Sequence, residues 1–374
     1  MNLDFSKEQK MIRDEALAFL KKECPYERVK ELEETAEGYD PKMWKKMADL
    51  GWLALMFPES YGGDGGQFID TAIIMEALGS MVSPSPFFST IIQCGLVLLE
   101  GGSEEQKKKL IPEISDGKLI MSLAQYEEHA SYSVSDVTLT AEAEADGFRL
   151  NGTKMFVMDA NIAHKLIVAA KTGDGEISLF LVDTNVGGVT IDKVPTIALD
   201  NNCVVTFENV SVPKENMMGD PGAAIAVLEK ANQKAAVAKA AEMLGGCKAS
   251  IDMTVAYAKE RMQYGKPIGG FQAIQHFIAN MLIAYDTNYN YLYRVICMVD
   301  EGEDFATEAY ALKANVNDAY KFISERGVHI HGGIGTTREG DAGLFFRKVK
   351  AHEYICGDSA TLYDAVFENL MQQV

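Results

Sequence analysis

The hydrophobic period of this chain changes twice, and that change limits its fold more than any single motif. Up to about residue 118 the apolar spacing is helical. Ile12, Ala16, Phe19 and Leu20 fall at i, i+4, i+7 and i+8 behind Ser6-Lys7-Glu8-Gln9, which predicts a capping box. Pro41 is expected to open a further helix, with others over 69–78, 87–100 and 103–114. From about 118 to 213 the period is two and turn residues recur. Asn151-Gly152 predicts a hairpin turn between Phe148–Leu150 and Lys154–Val157. Thr172-Gly173-Asp174-Gly175 predicts a second, joining 165–171 to 177–183, and 204–212 reads as another strand. The helical period then returns in four long passes: 223–261, 271–300, 305–330 and 345–371. The expected architecture is α+β: an N-terminal α-helical domain (1–118), a barrel-like middle β domain (119–222) and a C-terminal four-helix bundle (223–374).

The charge balance narrows the partners. With 35 Lys and Arg against 54 Asp and Glu, the net charge of −19 opposes binding to nucleic acid or to an anionic membrane surface. Six scattered cysteines form no C-x-x-C pair, so reduced thiols are expected, with neither a disulfide framework nor a metal site. Met1-Asn2-Leu3-Asp4 runs directly into an amphipathic helix and no apolar run is long enough to span a bilayer, so a cytoplasmic protein without a signal peptide is expected.

The most informative stretch runs from Glu260 to Met281. A helix ends, Gly265-Lys266-Pro267 and Gly269-Gly270 break the chain, and a second helix begins. Arg261 and Gln263 stand beside that turn, where such groups often hold a phosphate or a ring. An ordinary helix–turn–helix with a solvated arginine fits the same residues.

Four motifs in order carry more. R-x-Q-Y-G-x-P-I-x-x-F-Q-x-x-Q from Arg261 resembles a signature of the acyl-CoA dehydrogenase family, flavoproteins that desaturate acyl-CoA thioesters. His331-Gly332-Gly333-Ile334-Gly335, followed by Glu339 and Arg347, resembles that family's C-terminal glycine motif. So do Gly51-Trp52 with Pro58-Glu59-Ser60-Tyr61-Gly62-Gly63, and Glu76-Ala77-Leu78-Gly79. The resemblance implies FAD between the β domain and the C-terminal helices, an acyl-CoA substrate, and electron-transfer flavoprotein as acceptor. It also implies a homotetramer, or a heterotetramer with a homologous subunit. Carried over by position, Arg261, Gln263, Tyr264 and Gln272 match residues reaching the FAD of a neighbouring subunit, and His329, Gly332 and Gly333 match the segment approaching the dinucleotide. Leu123, Gln125 and Tyr126 match the strand over the flavin ring, with Phe156 and Met158 beside it. Tyr132 stands in the segment expected at CoA, and Gly357 and Asp358 follow the base position.

The base is where this chain departs from the family. The two positions that hold the catalytic glutamate fall here on Cys356 and Ala235, and neither is a carboxylate. A free thiol, with a pKa of roughly 8.5, is a minor thiolate at neutral pH. If 345–371 is one helix, Glu353 shares the face of Cys356. Three readings follow: a dehydrogenase whose base lies elsewhere, a non-catalytic FAD-binding subunit, or a flavoprotein performing another reaction on a CoA thioester. The acyl group is not specified by any of these residues.

Overall fold

The computed structural model describes residues 5–173 and 175–372. In chain order the helices are α1 (Lys7–Glu23), α2 (Tyr26–Leu32), α3 (Pro41–Asp49), α4 (Phe68–Ser80), α5 (Gly95–Gly101) and α6 (Glu104–Ser115). A sheet region follows: β1 (Met121–Ala124), β2 (Thr140–Glu144), β3 (Gly147–Met158), β4 (Lys165–Lys171), β5 (Ile177–Asp183), β6 (Val189–Val194), β7 (Asn202–Pro213) and β8 (Met217–Met218). Then come α7 (Ala224–Glu260), the short ribbon of β9 (Met262–Gln263) and β10 (Lys266–Pro267), α8 (Gln272–Glu301), α9 (Ala306–His331), α10 (Ala342–His352) and α11 (Ser359–Gln372). Among the described residues no helix is long and apolar enough to cross a membrane.

Local chemistry sets the helix starts. Gln9 N donates to Ser6 Oγ at 3.1 Å and Ser6 N to Gln9 Oε1 at 3.0 Å, so the expected capping box forms. Pro41 occupies the first turn of α3, and Asp40 accepts from Lys42 N at 2.9 Å. The apolar run after Pro86 forms a π-helix over Phe87–Cys94 before it becomes α5. Thr90 in that π-helix bonds both the N–H and the carbonyl of Met121 at 3.1 Å, closing one edge of β1.

By packing, the chain forms two compact units. One comprises residues 32–66 and 85–235 and contains the sheet. Its strand order is β6-β7-β3-β2-β4-β5-β8, with β1 parallel to β4. β4 and β5 pair from Lys165↔Asp183 to Lys171↔Ile177, the hairpin expected there; Asp174 of its turn lies outside the described residues, as do Met1–Asp4. The other unit comprises residues 1–31, 67–84 and 236–374 and is helical. There α9 packs against α8, α10 and α11, and α4 against α1 and α8. α4 and α7 touch backbone to backbone: a Cβ on Gly245 would lie 1.9 Å from Glu76 O, and one on Gly79 would lie 1.7 Å from Glu242 O.

Two expectations need correction. Asn151-Gly152 is not a hairpin turn, because β3 runs unbroken through it and pairs with β2 and β7. The glycine, at φ +140°, sits at a register shift, so the turn signal marks a β-bulge. The last helical pass is not continuous either. It breaks between His352 and Ser359, so Glu353 and Cys356 do not share a helical face.

Candidate functional site

In the sheet-containing unit, a second bulge in β3 falls between Lys154 and Val157. It turns Phe156 out at φ +52° and leaves it 49% exposed, an uncommon state for a phenylalanine. Met155 N donates to Tyr126 O at 2.9 Å, which fixes the chain after β1 beside that bulge. Leu123 and Gln125 are buried, and Ser122 Oγ donates to Met158 O. The rings of Tyr126 and Tyr132 meet edge to face at 5.7 Å. Leu123, Gln125, Tyr126, Tyr132, Phe156 and Met158 thus form one neighbourhood. Asn232 belongs with it: its amide exchanges hydrogen bonds with that of Gln125 at 3.2 and 3.4 Å. The sequence signal was a lone asparagine in the alanine-rich start of α7. Ala235 follows three residues later and is buried.

A buried ion pair holds this neighbourhood from behind. Lys154 Nζ donates to Glu127 Oε1 at 2.7 Å and to Gln125 O at 3.3 Å. Glu127 also accepts from Leu139 N at 3.0 Å, from Thr138 N at 2.9 Å and from Thr138 Oγ1. Burial works against its charge, but Lys154 and these donors outweigh it and hold the carboxylate at about 2. Burial in turn pushes the Lys154 ammonium down to about 8, with Glu127 opposing. Neither residue stood out in the sequence, because 27 residues separate them.

In the helical unit, the segment after α7 is a two-residue hairpin. Gln263 pairs with Lys266 across Tyr264 and Gly265, which have φ of +50° and +79°. Two left-handed residues suit a tight hairpin; glycine tolerates the second position, and tyrosine is strained at the first. Tyr264 is 93% exposed, and Arg261, Gln263 and Gln272 are exposed too. The Arg261 guanidinium has no protein partner among the described residues.

This hairpin and the glycine motif meet through Tyr257. Its ring stacks on His331 at 4.4 Å and its hydroxyl donates to His331 O at 3.3 Å. His331 Nδ1 lies 2.8 Å from Gly327 O, which places its proton there. His329 lies 5.6 Å from the Phe277 ring, and Arg326 covers the same ring at 5.0 Å. Gly332, at φ +66°, and Gly333 are exposed, and nothing lies within 4 Å of the place a Cβ would take on either.

Cys356, Gly357 and Asp358 also belong to the helical unit. They form the turn between α10 and α11, which is fastened to α9 at Lys313 and Asn317. Lys313 is 18 residues before His331, about 27 Å along the helix. Cys356 is 8% exposed at φ +60°. Burial pushes its thiol up to about 11, against the pull of Lys313 and Lys239. Asp358 caps α11, accepting from Thr361 N at 3.1 Å.

With this geometry in view, the comparisons identify the protein class. Family models match in order along the chain: "Acyl-CoA dehydrogenase, N-terminal domain" over residues 6–118, the middle domain over 122–210 and the C-terminal domain over 225–371. A Bacillus subtilis protein described as "Probable acyl-CoA dehydrogenase YngJ" is 30% identical over 94% of this chain and 95% of its own length. "Caffeyl-CoA reductase-Etf complex subunit CarC" of Acetobacterium woodii is 31% identical over 90% of each chain. The structure of butyryl-CoA dehydrogenase from Megasphaera elsdenii superposes with a TM-score of 0.92 at 25% identity, covering 99% of this chain and 100% of the other. The chain belongs to the acyl-CoA dehydrogenase family and has the fold of that family. It is an oxidoreductase of the acyl-CoA class.

Proposed function

We propose that the chain works with FAD to oxidise or reduce the Cα–Cβ bond of an acyl-CoA thioester. The observation that carries this reading is the exposed Arg261 guanidinium, without a protein partner among the described residues, beside a strained hairpin in a chain that matches the family along its length. The residues present fit the cofactor. Arg261 and Gln263 offer donors to a pyrophosphate, Gly332 and Gly333 leave room for close backbone approach, and Phe156 offers an exposed ring. FAD bound there would supply the hydride chemistry, which no side chain can perform. Gln125, Tyr126 and Met158 would line the flavin ring, and Gln272, Tyr264 and His329 the dinucleotide. Tyr132 would meet CoA, with Gly357 and Asp358 at the acyl end or the cofactor. Met158 offers no proton to the ring, since a thioether only accepts.

Proton transfer at Cα is the chain's own task. Residues 235 and 356 supply no carboxylate, so the base lies at neither position in this reading. The thiol at 356, pushed up to about 11 by burial, favours a second reading, a non-catalytic FAD-binding subunit beside a homologous catalytic one. Exposed Leu282, Ile283, Phe367, Leu370 and Met371 on α8 and α11 support assembly into a tetramer of like or homologous chains. Electron-transfer flavoprotein is the proposed electron partner, as the name of the Acetobacterium relative suggests. Reconstitution with FAD tests the cofactor assignment: one flavin per chain is expected, and a colourless protein would contradict it.

A further inference from the structure

The turn that carries residue 356 is held by an unusual pair. Lys313 is fully buried, and its ammonium donates to Asn317 Oδ1 at 2.5 Å, His352 O at 3.1 Å and Gly357 O at 3.5 Å. Asn317 Nδ2 donates to Glu353 O at 3.2 Å and Gly357 O at 3.2 Å. His352 O and Glu353 O are carbonyls at the C-terminal end of α10, beyond the reach of its i→i+4 bonds, and His352 O also accepts from Ile355 N at 3.3 Å. A cation and an amide on α9 therefore cap α10, and they grip the chain on both sides of Cys356. That grip explains how a non-glycine residue persists in the left-handed region at φ +60°.

The same clamp brings charge to the sulfur. Lys313 and Lys239, 1% exposed, both act on the thiol electrostatically. Lys239 is bonded to Glu242 Oε2 at 2.5 Å, whereas Lys313 donates to an amide oxygen and two backbone carbonyls, all uncharged. His352 adds no charge. Burial and the lysines 239, 348 and 313 hold its ring neutral, and its buried Nδ1 has no hydrogen-bond partner among the described residues. Burial pushes the Lys313 ammonium itself down to about 7, with Lys239 adding to the fall and Cys356, Glu353 and Asp358 opposing it, so its full charge is present only below neutral pH.

We infer that Lys313 is a positioning residue that fixes the turn bearing residue 356 and sets a positive potential on its side chain. An anion formed at that place, whether a thiolate or an engineered carboxylate, is thereby stabilised. This deepens the proposed reaction only by naming what sits behind residue 356. Its test uses no acyl-CoA, so its failure is separate from failure of that reading.

The experiment measures site-resolved alkylation of Cys356 in the full chain by mass spectrometry, with neutral iodoacetamide and anionic iodoacetate in parallel at about pH 6, where the Lys313 ammonium carries its charge. Loosening the turn speeds both reagents alike; losing the cation disfavours only the anionic one. In Lys313→Gln, which keeps hydrogen-bond donors without charge, the iodoacetate-to-iodoacetamide ratio is expected to fall at least about threefold. A threefold change corresponds to the Coulomb effect of one charge roughly 6 Å away at the dielectric constant of water. Asn317→Ala, which loosens the turn but keeps the ammonium, should raise both rates and leave the ratio unchanged. An unchanged ratio in Lys313→Gln overturns the inference, as does an equal fall in Asn317→Ala. Should Lys313→Gln not fold, Lys313→Met read the same way replaces it. If neither folds, the wild-type ratio decides: at or above that of a free thiol peptide supports the inference, and below it refutes it.

Discussion

Replacing Glu127 with glutamine strips the buried Lys154 ammonium of its charged partner, and the geometry sets the order of magnitude of the effect. The carboxylate is 5% exposed and is held at about 2 against its ordinary 4.5. A difference of about 2.5 units corresponds to roughly 3 kcal/mol at neutral pH. Breaking a buried pair from one side gives a similar figure, about 3–5 kcal/mol. The sign with pH follows from the depressed value. The contribution is complete above the unfolded carboxyl range near 4.3 and fades as pH falls toward 2, so by pH 3 roughly half remains. Thermal unfolding of Glu127→Gln at pH 7 should begin about 6–12 °C below wild type, and the gap should narrow by about half at pH 3. Replacing both partners, Glu127→Gln with Lys154→Met, should recover part of the loss, because no charge is then left buried. Equal stability of Glu127→Gln and wild type, or a gap that does not change with pH, refutes the reasoning.

Gly245→Ala drives a Cβ to 1.9 Å from Glu76 O, and a clash with backbone cannot be relieved by a rotamer; urea denaturation should show a loss of about 3 kcal/mol or more. Arg261→Ala should leave the cofactor-free melting temperature within about 1 °C, because the guanidinium has no protein partner among the described residues, yet lose flavin on gel filtration. Tyr264→Gly relieves a left-handed tyrosine and should raise cofactor-free stability by about 1 kcal/mol in the same assay. Cys356→Glu places a carboxylate at the turn: under the displaced-base reading acyl-CoA turnover stays level or falls, and under the non-catalytic reading it appears where the wild type had none.

How much of this was legible in the sequence depended on distance along the chain. Two signals carried within four residues read correctly. Ser6 with Gln9 starts α1 by local hydrogen bonds, and Pro41 opens α3, where the structure adds an Asp40 cap. Asn151-Gly152 misled because β3 has partners on both edges, and pairing along twelve residues outweighs one turn signal. Asn151 Oδ1 instead accepts from Asn209 N at 2.8 Å, which stabilises the bulge. The break at 353–358 did carry a local signal, since Asp358 precedes Thr361 at capping distance, but helical spacing on either side concealed it. The clamp by Lys313 and Asn317, and the pairing of Lys154 with Glu127, were invisible for another reason. Each joins residues 27 to 44 positions apart, and no pattern within either segment announces the other. Position in a family motif made Arg261, Phe156 and the glycines candidates, whereas Asn232 emerged as one only from its contact with Gln125.

The central claim is tested most directly by anaerobic stopped-flow spectroscopy of the FAD-reconstituted protein, mixed with a panel of straight-chain, branched and aryl acyl-CoA thioesters. The account predicts that at least one thioester bleaches the visible flavin band, and that the matching enoyl-CoA restores it in chemically reduced protein. A flavin that stays oxidised with every acyl-CoA and stays reduced with every enoyl-CoA, alone and together with a homologous subunit, would contradict it.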